Sequence, residues 1–127
     1  LIGDPRLGPS WDEAAPSLGA EAEAGDPLSQ YLLGRNLWLH GRPEAALRYL
    51  DASLDPEPKP PRSPGIVWPP APSVVRETLR LRVVIGCYQR EPDRAKTTDA
   101  FRRFDADPGV PAAKKAATRR FANRCGL

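Results

Sequence analysis

Residues 30 to 58 read QYLLGRNLWLHGRPEAALRYLDASLDPEP, and this stretch decides the fold. Two segments with apolar residues at helical spacing flank the turn at 40–43. Gly41 suits the left-handed conformation that follows a helix, and Pro43 suits the first position of the next helix. The stretch therefore predicts two short helices joined by a tight turn, a helical hairpin.

The residues just before this stretch supply a start for the first helix. Asp26 is a good N-cap, and Pro27 sits where the missing N–H costs nothing. From Pro27 to His40 the apolar residues are too many for one thin stripe, so we expect this helix to be buried on more than one side. The first hairpin is thus predicted over 27–55.

The flanking segments complete an all-α organisation, which we interpret as one domain over 1–127. Residues 1–26 are predicted to be a lead-in and a short helix. Residues 56–72 hold eight prolines in 17 positions, which excludes a helix and favours an extended linker or insertion. We expect a second helix pair over 73–108, with Ser73 as N-cap, and an end helix over 111–125. The apolar stripe predicted on that end helix consists of Ala113, Ala117, Phe121 and Cys125.

Residues 27–60 match a 34-residue repeat pattern, W-x2-L-G-x2-Y, then A-x3-F, then P. On this basis the segment resembles the tetratricopeptide (TPR) repeat, and its opening GDPLSQYLLG also resembles Sel1-like repeats. In such hairpins two antiparallel helices touch at small residues, here Gly34 and Ala46. The positions that carry the resemblance are Leu33, Gly34, Leu37, Ala46, Leu50, Ser53 and Pro58.

Residues 73–108 resemble a degenerate second repeat. The alignment places Ala95 opposite Ala46, with Val83 or Gly86 at the small position of the first helix. Asp99 stands where a large apolar residue belongs. The resemblance implies a right-handed stack of two hairpins, in which 56–72 is an insertion and the helix at 111–125 caps one end.

TPR arrays bind an extended peptide or a partner helix in a groove lined by the first helix of each hairpin. The resemblance therefore implies a protein-protein interaction or scaffolding module. An ordinary core role for Tyr31 and Trp38 is the alternative. The partner-binding residues carried over by position are Leu28, Tyr31, Arg35, Trp38, Leu39, Arg80, Val84 and Tyr88.

Charge is distributed unevenly along the chain. Residues 1–72 carry 6 Lys and Arg against 10 Asp and Glu, and residues 73–127 carry 13 against 6, which gives −4 and +7. A basic half can bind nucleic acid or an acidic surface. Solvated arginines on helix faces are the simpler explanation, so nucleic-acid binding is kept as the alternative function.

The chain has few residues of the types that bind metals or act as nucleophiles and bases in catalysis. Cys87 and Cys125 are the only cysteines and His40 the only histidine, so we expect no metal site and no cofactor. One disulfide is allowed, and two separate buried thiols are the alternative. Without a nucleophile, base and orienting group in one arrangement, we do not expect an enzyme.

The sequence gives only indirect indications of the cellular location of the chain and of the protein from which it comes. No apolar run approaches the roughly 20 residues that a membrane span requires. The chain has no Met and starts at Leu1, which indicates a piece of a longer protein. Its Arg-, Ala- and Pro-rich composition is typical of bacteria with GC-rich genomes. A Cys87–Cys125 bridge would favour the cell envelope or periplasm, and free thiols would favour the cytoplasm.

Overall fold

A computed structural model describes residues 18–57, 59–60, 63–89, 91 and 94–127. Within these residues the ordered elements are helices and there is no strand, so the all-α prediction is confirmed. The first 17 residues of the predicted lead-in lie outside this part of the chain, as do Pro58 and Pro61. The helices are α1 (18–23), α2 (Pro27–Leu39), α3 (Pro43–Leu54), α4 (Pro72–Gln89), α5 (Ala95–Ala106) and α6 (Ala112–Cys125).

The chain divides into two compact units between Ala71 and Pro72. The first contains α1 to α3 and the second contains α4 to α6. The described residues between α3 and α4 form no helix, as the seven prolines between these helices predict. We refer to these parts as the first and the second unit; the interpretation of 1–127 as one stacked domain stays a prediction.

Local capping residues set the ends of α2 and the start of α3, as predicted. The carboxylate of Asp26 accepts the backbone N–H of Ser29 at 3.2 Å, and Pro27 opens the helix. Gly41, just beyond the end of α2, has a φ of 73°, a value that glycine adopts without a Cβ penalty. Pro43 then starts α3.

The core of the first unit lies between α2 and α3. Two hydrogen bonds pair polar groups in this core: Ser53 donates its hydroxyl to the carbonyl of Pro27 at 3.0 Å, and the amide of Gln30 donates to the carbonyl of Ala22 on α1 at 3.1 Å. The second bond fixes the described part of α1 against α2. The buried apolar side chains are Ala22, Leu33, Ala46, Leu47, Leu50 and Leu54.

In the second unit α4 pairs with α5, and α6 contacts both. The predicted N-cap at Ser73 is wrong by one position or more, because α4 already begins at Pro72. Proline suits the first turn of a helix, so it joins the helix here. The core side chains are Leu79, Leu81, Val83, Ile85, Ala100, Phe104, Val110 and Ala122.

The predicted stripe on α6 is also wrong. Ala113 and Ala117 are exposed, and the buried residues are instead Thr118 and Ala122. Alanine is apolar enough for either environment, so an alanine-rich helix gives little information about which face turns inward. Phe121 and Cys125 are half-buried.

Candidate partner-binding surface

The two helices of the first hairpin touch at Gly34. A Cβ on this glycine would lie 3.0 Å from Cδ2 of Leu50 and 3.2 Å from the carbonyl oxygen of Ala46. Both neighbours are fully buried. The predicted close contact of Gly34 with the Ala46 region is therefore confirmed, and it leaves no room for a larger side chain on α2.

This contact sets which side of α2 faces outward. Residues 28, 31, 35, 38 and 39 fall on one side of a helix with 3.6 residues per turn, opposite Leu33 and bordered by Gly34. Leu28 is 46% exposed and Leu39 is 50% exposed, which is high for large apolar side chains. We call these five residues the α2 outer face: Leu28, Tyr31, Arg35, Trp38 and Leu39.

The other three members of the α2 outer face are half-buried. Tyr31 and Trp38 both take part in further interactions within the chain, which fits the core role considered for them. Arg35 has no carboxylate partner among the described residues. The outer face thus combines two exposed leucines at its ends with one available cation between them.

The remaining three predicted contact residues share one side of α4 in the second unit. Arg80 is already engaged, since its Nη2 lies 3.0 Å from the carboxylate of Glu77 one turn away. Val84 is half-buried and Tyr88 is 67% exposed. Of the three, Tyr88 offers the largest apolar surface.

The helix contact between α4 and α5 differs from the predicted alignment. Ala95 is exposed, so its equivalence to the buried Ala46 is wrong. Gly86 is the small residue at the contact, and a Cβ there would overlap the hydroxyl of Thr97. Thr97, two positions after Ala95, is the residue that packs against α4.

A buried arginine at this contact was missed by the sequence reasoning. The side chain of Arg82 is 1% exposed, and its Nη1 lies 3.1 Å from Oε1 of Glu91 and 3.0 Å from Oγ1 of Thr97. Thr97 also donates to Glu91 at 2.8 Å. Arginine is seldom fully buried unless it is paired, so only the three-dimensional arrangement of these partners identifies it.

Cys87 and Cys125 form a disulfide, with their sulfur atoms 2.00 Å apart. The bridge joins the last turn of α4 to the last residue of α6, and the alternative of two separate thiols is wrong. Nη2 of Arg94 donates to Sγ of Cys125 at 2.7 Å. The Nε of Arg94 is buried and has no hydrogen-bond partner in the part of the chain that the structure describes.

Two aspartates next to α6 are held in their charged form. The Gly109 N–H and the Arg76 guanidinium lower the pKa of Asp107, with hydrogen bonds of 2.8 and 3.0 Å. The guanidinium of Arg119 donates two hydrogen bonds to the carboxylate of Asp105, at 2.7 and 3.1 Å, and these lower its pKa. These contacts join the end of α5 to α4 through Arg76 and to α6 through Arg119.

The second unit has a surplus of exposed cations. All five of its described carboxylates form ion pairs with arginine. Four exposed basic side chains have no carboxylate partner among the described residues: Arg102, Lys114, Arg120 and Arg124.

No three His, Cys, Asp or Glu side chains of the described residues are grouped as metal ligands would be. None of the described helices is both long and apolar enough to cross a bilayer. Comparisons of the chain with protein-family models, with curated proteins and with solved structures find no match.

Proposed function

We propose that the chain is a protein-protein interaction module of the TPR-like kind, with the α2 outer face as its docking surface. The observation that carries the proposal is the half-exposure of Leu28 and Leu39 at 46% and 50%. The two leucines share one helix face with the half-buried Tyr31 and Trp38 between them, and apolar surface that is continuous along a face is typical of interaction sites. The close contact at Gly34 supports the TPR-like hairpin, and the stacking of hairpins into a right-handed superhelix belongs to the proposal.

The surface indicates the chemistry of its ligand. The eleven steps along the helix from Leu28 to Leu39 span roughly 16 Å, which matches two apolar anchors on an extended peptide or one side of a partner helix. Arg35 lies between them and can pair with a carboxylate. The ligand that fits is a peptide with two apolar side chains and an acidic residue between them.

Selection of a displayed random-peptide library against the whole chain tests this proposal. We expect selected peptides to carry the apolar-acidic-apolar pattern. Replacing both leucines, Leu28→Ser with Leu39→Ser, should weaken binding by at least about tenfold, the loss expected when one to two exposed leucine contacts are removed.

Arg48→Ser is the matched control, because Arg48 is exposed on α3, outside the outer face. The control should bind the selected peptides as the parent chain does. Failure to select any peptide, or equal affinity of the double variant and the parent chain, would contradict the proposal.

Nucleic-acid or acidic-surface binding by the second unit is the second candidate. The observation that favours it is the set of four unpaired basic side chains on α5 and α6. Binding of a 20-nucleotide single strand should then weaken steeply between 50 and 200 mM salt. Arg120→Gln with Arg124→Gln should reduce both the affinity and the salt dependence; binding that is absent at 50 mM salt would reject this candidate.

A further inference from the structure

The end helix α6 buries few of its residues. Its only buried residues are Thr118 and Ala122, whereas α3 buries five. The bridge fixes its last residue, Cys125, to the last turn of α4. Both cysteines are half-buried rather than enclosed in the core, so part of each residue is exposed to solvent.

The two sulfur atoms have different surroundings. Each lies near the C-terminal end of a helix, where the helix dipole disfavours a negative charge. At Cys125 a cation counteracts this effect of the helix dipole, because Nη2 of Arg94 donates to its Sγ at 2.7 Å. Among the described residues no cation contacts Cys87.

The intact disulfide is a poor hydrogen-bond and charge partner for the guanidinium of Arg94. A neutral sulfur is a weak acceptor, and a guanidinium binds an anion more strongly. Among the described residues the buried Nε of Arg94 has no hydrogen-bond partner, and no carboxylate of these residues pairs with this side chain. A thiolate at Cys125 would supply the negative charge that Arg94 lacks.

We propose that the Cys87–Cys125 bond is a thiol-exchange site that is polarised by Arg94. An external thiolate attacks Sγ of Cys87 and forms a new disulfide there. The electron pair of the broken bond stays on Cys125, which leaves as a thiolate paired with Arg94. No proton is gained or lost in this step, and a better stabilised leaving thiolate departs faster.

The ligand class of the site is therefore a thiol, and its first product is a mixed disulfide on Cys87. The second thiol of a dithiol reagent completes the reduction: it attacks the mixed disulfide, becomes oxidised itself and releases Cys87 as a thiol. Opening the bond removes the covalent tie of α6, whose remaining packing is small. Thiol exchange would thus control whether α6 stays docked.

Reaction of the whole folded chain with reduced glutathione tests the site. After acid quenching and alkylation, trypsin separates the two cysteines into the peptides 83–90 and 125–127. We expect glutathione on the first peptide in excess of the second by about tenfold. With dithiothreitol, we expect reduction to be followed by faster hydrogen exchange of the α6 amides.

Three variants complete the test. Arg94→Gln should slow the opening several-fold and abolish the preference for Cys87, while Arg94→Lys should retain most of the preference because it keeps the charge. Arg48→Gln removes an exposed arginine of α3, outside the proposed sites, and is the matched control. Equal labelling of both cysteines in the parent chain, an Arg94→Gln variant that reacts like the parent, or no reaction short of unfolding would overturn the proposal.

Discussion

The substitution Gly34→Val should destabilise the first hairpin. The added Cβ would lie 3.0 Å from Leu50 and 3.2 Å from a backbone oxygen of α3. The backbone cannot move aside without separating the helices, and such overpacking costs about 1–3 kcal/mol. Valine regains roughly 0.3 kcal/mol through its better helix propensity. The net expectation is a loss of about 2 kcal/mol in the free energy of unfolding.

Urea unfolding followed by tryptophan fluorescence measures this loss. Trp11, Trp38 and Trp68 are the three tryptophans and all precede residue 72, so the signal reports the first unit. Gly19→Val is the matched control, since no atom of the described residues lies within 4 Å of the position where its Cβ would be. The control should be unchanged or slightly more stable; a Gly34→Val variant as stable as the control would refute the close contact.

Three further predictions concern the second unit. Gly86→Ala should destabilise it by about 3 kcal/mol, because the new Cβ overlaps the hydroxyl of Thr97; circular-dichroism melting measures this, and an unchanged melt would contradict the packing. Replacing Cys87 and Cys125 together by serine should lower the free energy of unfolding by about 3–4 kcal/mol, the chain-entropy value for a bridge across a separation of 38 residues; a loss below about 1 kcal/mol would show that the bridge constrains little. The pKa of Asp107 is lowered in the folded chain, so its contribution is present at neutral pH and is lost as the pH falls below about 4. Asp107→Asn should therefore flatten the acid side of the melting-temperature profile, and an identical profile would count against these hydrogen bonds.

The first hairpin was predictable because its signals are local. Asp26, Pro27, Gly41 and Pro43 each act on a backbone position within a few residues, and their effects follow from capping and turn chemistry. The small residue at Gly34 follows from the repeat spacing. Helix ends, turn and inner face were therefore all contained in one short stretch.

The packing of the second unit was predicted less well, because the residues that determine it are not sequence neighbours or can occupy either a buried or an exposed position. The burial of Arg82 requires Glu91 and Thr97, which belong to a different part of the chain and have no periodic signature. The inward face of α6 depends on whether Ala117 or Ala122 is buried, and composition does not distinguish two alanines. The sequence left the disulfide open because connectivity depends on three-dimensional proximity.

The α2 outer face was identified by position, but its chemistry needed the structure. Solvent exposure distinguishes Leu28 and Leu39, whose side chains are about half exposed, from Tyr31 and Trp38, which are half-buried. The availability of Arg35 could not be read from the sequence either, since it depends on which carboxylates lie nearby.

Chemical-shift mapping of the isotope-labelled chain with a selected peptide tests the central claim most directly. If the peptide docks on the α2 outer face, we expect the largest amide shift changes on α2, at and around Leu28, Arg35 and Leu39. The amide shifts of α3 positions such as Arg48 should change little. Shifts that cluster on α6, or that leave α2 unchanged while the peptide binds, would contradict the assignment of the docking surface.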